Sequence, residues 1–442
     1  MSLTRRSFLS STAAGLVSAR SLIAAPQQSS STAVGASDRV RIGVIGTGRQ
    51  GRSDMRAHLA LPDVEIAAIC DVFAPNLAEA AKLAPSAKTL TDFRALLDDK
   101  TIDAVIIGTP DHWHALMSVM ACQAGKDVYV EKPTSVAIAE GRKMVEAARR
   151  YSRVVQVGTQ QRSAAHFQDA VKLVWDGRLG PISAVRMWNV GNQAPEGIGN
   201  PPDGDPPAGL DWDMWLGPAP KRPFNANRFG VTTEAWSYFR WFWDYAGGMM
   251  TDWGVHLIDI VQWAMKADAP LSVSAVGGHF CLKDNRETPD TIVASYQYPG
   301  FVLTYENRTG NARGVNGHGY GIEFYGTDGT LFVDRSGYEL VPETRKSGTT
   351  VTNRTDPASR TSTPDNPTHA RNFVDCIKSR QAPICDIESG HRSSSTAILG
   401  NMAYRSGATV VWDGRTERVT NDNPKAAALV DREYRSPWTL HV

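Results

Sequence analysis

The sequence of 442 residues is poor in cysteine, has no long apolar run and carries almost no net charge. Its five cysteines form no CxxC pair and no spacing typical of metal ligands, so the pattern predicts neither a disulfide framework nor a cysteine metal site. Cys376 and Cys385 are near enough in sequence to pair, but free thiols are the preferred interpretation. No run of about 18 apolar residues occurs, so no membrane-spanning helix is expected.

The balance of charges argues against one class of partner. The 47 lysines and arginines against 46 aspartates and glutamates give a formal charge of +1, which does not favour nucleic acid or an anionic membrane surface. A hydrophobic fraction of 42% and a charged fraction of 21% are typical of a globular protein. The length predicts more than one domain.

The first 36 residues differ in composition from the rest of the chain. Arg5 and Arg6 stand in the stretch TRRSFL, and two short apolar runs and a Ser-, Gln- and Ala-rich stretch follow. This pattern resembles a twin-arginine export signal, so residues 1–36 are interpreted as a flexible leader and a periplasmic or otherwise exported protein is expected. Arg20 interrupts the apolar region, and the alternative is a cytoplasmic tail with a chance arginine pair.

A glycine-rich turn follows the first predicted strand. Residues 39–45 alternate as a β-strand, GTGRQG follows at residues 46–51, and a helical pattern runs to about Leu61. In a GxGxxG pattern the first glycine permits a tight turn, the second lets the backbone approach a pyrophosphate, and the third lets helix and strand pack closely. Free N–H groups at the helix N-terminus would bind the anion. The residues predicted to contact a dinucleotide here are Gly46, Thr47, Gly48, Arg49, Gln50 and Gly51.

An acidic residue ends the second predicted strand. Residues 64–70 are strand-like, and Asp71 follows them, 20 residues after Gly51. A carboxylate at this place hydrogen-bonds a ribose 2′-hydroxyl and repels a 2′-phosphate. The pattern therefore favours NAD, although Arg49 or Arg52 could tolerate a 2′-phosphate, so NADP stays open.

Strands and helices continue to alternate up to about residue 160, which predicts a doubly wound parallel sheet. Ligands bind just beyond the carboxyl ends of the strands in such a sheet. Lys132 stands at such a place, after an apolar strand and between Glu131 and Pro133. A surface lysine in an ordinary ion pair is the alternative. The further apolar runs are residues 104–107, 128–130 and 154–157.

The stretch GTPDHWH, residues 108–114, is expected at the same sheet edge as Gly46 and Lys132. His112 and His114 have no carboxylate or cysteine at a spacing helpful for a metal. A polar loop beneath a nicotinamide, or a helix cap, is therefore favoured, and no metal site is predicted.

A second polar cluster lies on a helix predicted to run through about Met265. Asp252, His256 and Asp259 are spaced i, i+4 and i+7, which places them on one helix face. A histidine can take a hydroxyl proton as a hydride leaves, and a carboxylate one turn away can orient the ring or bind a neighbouring hydroxyl. The alternative is a helix-capping Asp252 and a packed His256.

The remaining sequence predicts a second architecture. Five strand-like runs with short turns follow Leu271 and predict a large, mostly antiparallel sheet. Residues 346–367 are rich in Thr, Ser, Asn and Pro and predict an exposed loop. Asp386, Glu388 and His391 could bind a metal, but helix capping and ion pairing are favoured.

Taken in order, GTGRQG, the acidic strand end, GTPDHWH, EKP and the Asp252-to-His256 spacing resemble the glucose–fructose oxidoreductase/inositol dehydrogenase family (Gfo/Idh/MocA). The resemblance covers most of the chain from about residue 38, and the leader and the tail after Asn423 resemble a subgroup with a twin-arginine signal. It implies that Lys132 lies between nicotinamide and substrate and is catalytic, with His256 and Asp252. It further implies a homo-oligomer and a tail wrapped over a neighbouring surface or subunit. The cofactor-binding residues expected outside the glycine turn are Asp71, Thr109, Pro110, His114, Glu131 and Lys132.

The expected fold class is α/β with α+β. A doubly wound Rossmann domain is predicted over residues 38–160, and a substrate-binding domain with a large open antiparallel sheet, helices and a C-terminal tail over residues 161–442. The expected activity is hydride transfer between NAD and a sugar, polyol or glycoside. The NAD is expected to be tightly bound, because an exported enzyme has no free NAD pool. The first alternative is glycoside cleavage or isomerisation through transient oxidation. The second is a non-catalytic, cofactor-bound sugar-binding protein.

Overall fold

The computed structural model describes residues 39–230, 237–362 and 366–442. The predicted leader, residues 1–36, lies outside these residues. Within the described ranges, no helix is long and apolar enough to cross a membrane.

The N-terminal half is a six-stranded sheet in which every neighbouring pair is parallel, in the order β3-β2-β1-β4-β5-β6. Helices connect the strands, which confirms the predicted doubly wound sheet. The strands are β1 Val40–Ile45, β2 Val64–Cys70, β3 Lys88–Leu90, β4 Ala104–Ile107, β5 Asp127–Val130 and β6 Val155–Val157. The helices are α1 Arg49–Leu59, α2 Ala74–Leu83, α3 Phe93–Asp98, α4 Asp111–Gln123 and α5 Ile138–Arg150.

The register of this sheet brings the predicted site residues to one edge. β4 and β5 are buried at every position, as expected of strands covered on both faces. Ile45 pairs with Cys70 on one side and with Ile107 on the other, and Ile107 pairs with Val130. The residues that follow these strands therefore begin at the same level.

The C-terminal half is built around a ten-stranded sheet in the order β18-β15-β14-β13-β7-β12-β11-β10-β19-β20. Only the β7–β12 pair is parallel among the neighbours described. Its strands are β7 Ile182–Val190, β10 Ser272–Gly278, β11 Thr291–Tyr298, β12 Phe301–Arg308, β13 Tyr320–Gly326, β14 Gly329–Asp334, β15 Gly337–Pro342, β18 Ala358–Thr361, β19 Val410–Asp413 and β20 Arg418–Val419. Two small hairpins pair β8 Asp203–Gly204 with β9 Phe224–Asn225, and β16 Thr344–Ser347 with β17 Thr350–Asn353.

Helices cover one face of the large sheet. The helices of this half are α6 Ala165–Trp175, α7 Trp212–Leu216, α8 Ala226–Phe229, α9 Gly248–Asp252, α10 Gly254–Met265, α11 Asn366–Ser379, α12 Ile387–Ser406 and α13 Pro424–Ala427, with 3-10 turns at Gln160–Ser163 and Tyr238–Trp241. α6, α10 and α12 share one apolar core with the buried side of the strands. β11 alternates buried and exposed residues, so the opposite face is open.

Two local predictions were wrong. Residues 346–367 were expected to form an exposed loop; the described part, residues 346–362 and 366–367, is largely exposed as expected, but it contains most of the β16–β17 hairpin and the edge strand β18, because backbone ladder hydrogen bonds order even this polar sequence. Residues 363–365 lie outside the described residues. The helix expected to run unbroken to Met265 is divided at Trp253 into α9 and α10. All five cysteines are free thiols, as preferred.

The C-terminal tail returns to the N-terminal half of its own chain. The Val430 carbonyl accepts a hydrogen bond from Ala139 N at 2.9 Å. Arg432 pairs with Glu140 at 2.8 Å and donates to the His112 carbonyl at 2.8 Å. The tail thus covers a neighbouring surface, and that surface belongs to the N-terminal half.

Candidate active site

A cavity of about 470 Å³ lies between the carboxyl edge of the parallel sheet and helices α9 and α10. It joins most of the predicted cofactor residues to all three predicted catalytic residues. The predicted residues that line it are Gly46, Gly48, Arg49, Gln50, Asp71, Thr109, Pro110, His114, Glu131, Lys132, Asp252 and His256. Thr47 and Gly51 are buried and do not line it.

The glycine turn has the geometry that a bound pyrophosphate requires. Gly46 adopts φ +83°, a conformation that favours glycine. A Cβ on Gly51 would lie 1.9 Å from the Gly46 carbonyl oxygen, so only glycine fits there. Gly48 precedes α1, whose first turn contains no acidic residue, and no side chain among the described residues caps it. The N–H groups of this turn can therefore serve an anion.

Asp71 is fixed by the same turn. Its Oδ2 accepts from Thr47 N at 2.7 Å and from Thr47 Oγ1 at 3.0 Å, and its Oδ1 accepts from Phe73 N at 2.9 Å. Burial raises the pKa of Asp71, and these hydrogen bonds oppose that effect. Thr47, although outside the cavity, therefore orients the carboxylate that would meet a ribose. The glycine turn and this acidic strand end together fit NAD.

Lys132 and Asp252 form the polar centre of the cavity. Lys132 Nζ lies 2.8 Å from Asp252 Oδ1 and donates to the Asp252 carbonyl oxygen at 3.0 Å. Arg240 Nη2 lies 3.5 Å from the same Oδ1. Burial opposes the ionisation of Asp252, but Arg240 and Lys132 hold its pKa well below the usual range. Asp252 is therefore an anion at neutral pH and is shared by two cations.

His256 lies one turn beyond Asp252 and is buried. Burial, with Lys132 and Arg335 nearby, lowers its pKa well below 6.5, so the ring is neutral. Its Nδ1 is buried and has no hydrogen-bond partner among the described residues. A neutral imidazole beside Lys132 can accept a proton from a substrate hydroxyl.

Two further carboxyl groups flank Lys132. Burial raises the pKa of Glu131 to about 7, although Gln160 donates to its Oε1 at 2.9 Å. Burial likewise raises the pKa of Asp111 to about 7, and Asp252 adds to this effect. Asp111 was not among the predicted site residues, yet it lines the cavity beside Lys132.

The stretch GTPDHWH begins helix α4 instead of forming a loop through His114. His114 Nδ1 lies 2.7 Å from the Pro133 carbonyl oxygen and its Nε2 lies 2.9 Å from that of Thr109. His112 Nε2 lies 3.0 Å from the Trp215 carbonyl oxygen. The prediction of a polar loop or a helix cap is correct for residues 108–110, which precede α4, whereas Asp111 to His114 form the first turn of the helix, where backbone carbonyls bind both histidine rings.

Asp259 does not join the site, despite its predicted helix face. It is buried and bound by Arg162 through contacts of 2.7 and 2.8 Å. Helix α10 packs within the core, and the turn after His256 places Asp259 against Arg162 in the 3-10 turn Gln160–Ser163 and not in the cavity lining.

The acidic cluster near α12 has the structural role that was preferred. Asp386 caps α12, and Glu388 and His391 pair with Arg142 and Glu417, respectively. Within the described part of the chain, no group of three or more histidine, cysteine, aspartate or glutamate residues could hold a metal ion.

Several cavity residues besides Asp111 were not predicted, and three of them matter for the chemistry: Arg240, Trp253 and Arg335. Arg240 lies in a 3-10 turn, and Arg335 follows β14. Neither belongs to a local motif, so no sequence signal identified them. Trp253 lies between Asp252 and His256, and its position in that motif could have suggested it.

Comparison with known protein families identifies both halves of the chain. An oxidoreductase family with an NAD-binding Rossmann fold (Gfo/Idh/MocA) matches residues 40–159. The C-terminal alpha/beta domain of the same family matches residues 195–320 and 350–440.

Individual relatives agree with this. The scyllo-inositol 2-dehydrogenase (NAD(+)) of Bacillus subtilis is 23% identical over 392 residues, or 85% of this chain and 97% of that protein. A glycosyl hydrolase family 109 protein of Shewanella baltica is 36% identical over 122 residues, which cover 26% of this chain and only 27% of that protein. The WlbA dehydrogenase of Bordetella pertussis, solved with NADH and UDP-GlcNAcA, shares the fold, with a TM-score of 0.63, 20% identity and coverage of 85% of this chain and 99% of that one.

Proposed function

The chain belongs to the Gfo/Idh/MocA oxidoreductase family, and from this membership we propose that it transfers a hydride between NAD and a CH–OH group of a sugar, polyol or glycoside. The observation that carries the assignment is the contact of 2.8 Å between Lys132 Nζ and Asp252 Oδ1, with His256 in the same cavity. These side chains lie just beyond the carboxyl end of strand β5, at the same sheet edge as the glycine turn.

The residues that would hold NAD are the glycine turn and Asp71, and bound NAD would supply the hydride acceptor. The carbinol of the substrate would lie against Lys132, which donates a hydrogen bond to its oxygen and stabilises negative charge that develops there. Neutral His256 accepts the hydroxyl proton. Asp252 holds the Lys132 ammonium in place through its ion pair.

The assignment is tested on purified protein without added cofactor. Absorbance at 260 and 340 nm is recorded before and after dialysis, and a panel of sugars, polyols and glycosides is then added. Retained NAD that one compound reduces and a second compound reoxidises would support a closed redox cycle. Absence of any change at 340 nm and of any product across the panel would contradict the enzymatic assignment and favour a sugar-binding protein.

We also propose that NAD is held tightly. The supporting feature is residues 209–217, here called the crossing segment, which contacts the nucleotide-binding half. The Gly209 carbonyl accepts from Ala74 N at 2.8 Å, and Asp211 N donates to the Val72 carbonyl at 2.9 Å. The tail fixes this segment, because Arg435 Nε donates to the Gly217 carbonyl at 2.9 Å. Release of NAD would require these contacts to open.

A second candidate function is transient oxidation followed by cleavage of a glycosidic bond, with return of the hydride. The similarity of a 122-residue segment to the glycosyl hydrolase family 109 protein supports this candidate. It predicts products without lasting absorbance at 340 nm, whereas net dehydrogenation predicts a persistent signal until a second substrate is added.

The leader carries a separate proposal, that residues 1–36 direct export by the twin-arginine route and place the protein in the periplasm. Its support is the pair Arg5 and Arg6 before two apolar runs. Replacing both arginines with lysine should leave the protein in the cytoplasmic fraction. Unchanged fractionation of that variant would contradict the proposal.

The open face of the large sheet supports a proposal of homo-oligomerisation. Val276, Val293 and Val302 are exposed on adjacent strands, and Val276 pairs directly with Val293. Such a patch is typical of a protein interface. Light scattering of the purified protein should give a multiple of the chain mass, and Val293→Lys should lower it.

A further inference from the structure

A third cation lies on the substrate side of the cavity. Arg335 follows β14, and its guanidinium lies 4.6 Å from the centre of the Trp253 ring. Both residues line the cavity. Trp253 lies between Asp252 and His256 in sequence, where α9 ends and α10 begins. Its contact with Arg335 therefore holds the Arg335 guanidinium close to these two residues.

Arg335 differs from the buried arginines that stabilise the fold. Arg162 is bound by Asp259 at 2.7 Å, and Arg286 by Asp284 at 2.7 Å. No carboxylate among the described residues pairs with Arg335 in this way, and its guanidinium lies over the face of the Trp253 ring. Burial lowers the pKa of Arg335. A guanidinium so placed lacks the anion that such groups ordinarily bind.

The cavity itself does not supply that anion. Asp252 is already shared by Lys132 and Arg240, at 2.8 and 3.5 Å. Burial raises the pKa of Asp111 to about 7, so this carboxyl is only partly ionised at neutral pH. The substrate side therefore has three cations around one fully ionised carboxylate and two partly ionised carboxyl groups, Asp111 and Glu131, neither of which forms an ion pair with Arg335. A negative charge on bound substrate would complete this balance.

We propose that the natural substrate is an acidic sugar or its glycoside, and that Arg335 binds its carboxylate while Trp253 holds the guanidinium plane. This inference rests on the proposed function, since it names the substrate class of the same site. Arg335 is here a specificity-determining residue. A planar guanidinium binds a carboxylate through two parallel hydrogen bonds, so the single negative charge of one carboxylate is enough to pair with Arg335.

The test compares matched sugars on the protein with its bound NAD. Reduction of the bound NAD is followed by absorbance at 340 nm. D-Glucuronate is compared with D-glucose, D-galacturonate with D-galactose, and the methyl glycosides of each pair with one another. Wild-type protein should prefer the acid member of a pair at least about tenfold in the second-order rate constant for reduction of the bound NAD, which is called kcat/KM below. Arg335→Gln should lower kcat/KM for the acid about 100-fold and for the neutral partner by no more than about threefold. Arg335→Lys should retain part of the preference, because it keeps the charge but loses the planar fork.

The matched control is Arg345→Gln, which removes an exposed arginine from strand β16 and should leave the preference unchanged. Equal rates with acid and neutral members, or an equal loss on both in Arg335→Gln, would overturn the inference. A preference for glucose 6-phosphate over D-glucuronate would overturn the carboxylate assignment.

Binding separates failure of this inference from failure of the proposed function. The Tm of the same proteins is measured with each sugar, since binding requires no turnover. A rise in Tm with an acid sugar that Arg335→Gln lacks, without absorbance change, would support the Arg335 site and contradict hydride transfer. Equal Tm responses to acid and neutral sugars, or no response to any acid, would overturn the inference.

Discussion

The two walls of the cavity are built in different ways. The nucleotide wall consists of backbone turns after consecutive parallel strands, and its essential feature is a glycine whose Cβ would lie 1.9 Å from Gly46 O. The substrate wall consists of long side chains from distant segments: Lys132 and Asp252 are 120 residues apart and lie in contact. One wall depends on close approach of backbone, and the other depends on charge.

This difference explains how one family can keep its cofactor and change its substrate. A backbone cradle tolerates almost no change in its glycines, because each added atom meets a carbonyl. Side chains on α9, α10 and the loops of the large sheet can be exchanged without altering the strands that carry them. Substitutions should therefore separate the walls, abolishing chemistry on one and cofactor binding on the other.

The largest expected effect is on the substrate wall. Lys132→Met should lower kcat about 10³-fold, because the hydrogen-bond donor to the reacting oxygen is lost. Bound NAD, measured by absorbance at 260 nm after dialysis, should remain. Lys172→Met, at an exposed position paired with Asp176, is the control and should retain full activity. Undiminished turnover in Lys132→Met would contradict its catalytic role.

On the nucleotide wall, Gly51→Ala should abolish retention of NAD. The added Cβ has no room beside Gly46 O, so the strand and helix must separate, at a cost of about 1–3 kcal/mol in unfolding free energy. Gly191→Ala is the control, because nothing lies within 4 Å of its added Cβ. Full NAD content in Gly51→Ala would break the distinction between the two walls.

The two aspartates beside Lys132 should respond to pH differently. Burial raises the pKa of folded Asp111 to about 7, so folding binds a proton and stability from this group falls as pH rises from about 4 to about 7. Asp111→Asn should remove that fall. Between pH 5 and pH 8, the free energy of unfolding of the variant should therefore rise by about 3 kcal/mol relative to that of the wild type. Urea unfolding of the NAD-free protein at both pH values measures it.

Asp252 provides the contrast. Its pKa is depressed by Arg240 and Lys132 against the effect of burial, so its stabilisation is complete above about pH 4 and is lost only as pH falls further. Asp252→Asn should therefore lower the unfolding free energy by a similar amount at pH 5 and at pH 8. A pH-dependent difference in Asp252→Asn would contradict the assignment of charge between these two residues.

The smallest expected effect concerns the tail that fixes the crossing segment. Trp438 lies 4.9 Å from Trp113, between ring centres, and Trp113 lines the cavity. Trp438→Ala should accelerate loss of NAD on dialysis about fivefold, since the loss of an aromatic contact costs about 1 kcal/mol, while activity at saturating NAD stays unchanged. Trp175→Ala, at an exposed position elsewhere, is the control and should lose NAD at the wild-type rate.

The parts of the site that could be predicted share a local cause. The glycine turn, Asp71 and Lys132 each follow a buried strand, and the register of a parallel sheet brings such residues to one edge. The spacing of Asp252 and His256 placed them on one face, and the cavity contains both. Asp259 shares the spacing but faces Arg162, because helical periodicity does not specify which neighbour covers each turn.

The sequence by itself determined the nucleotide wall, because turn geometry and anion binding depend on a few adjacent residues with fixed backbone requirements. Only the tertiary structure decided the substrate wall. Asp111, Arg240 and Arg335 belong to no common motif, and they line one cavity because α9 and α10, which pack with the large sheet and its helices, lie across the cavity from the carboxyl edge of the parallel sheet. The same packing decides their charges, since burial and neighbouring ions set the pKa of Asp111 and Asp252 in opposite directions.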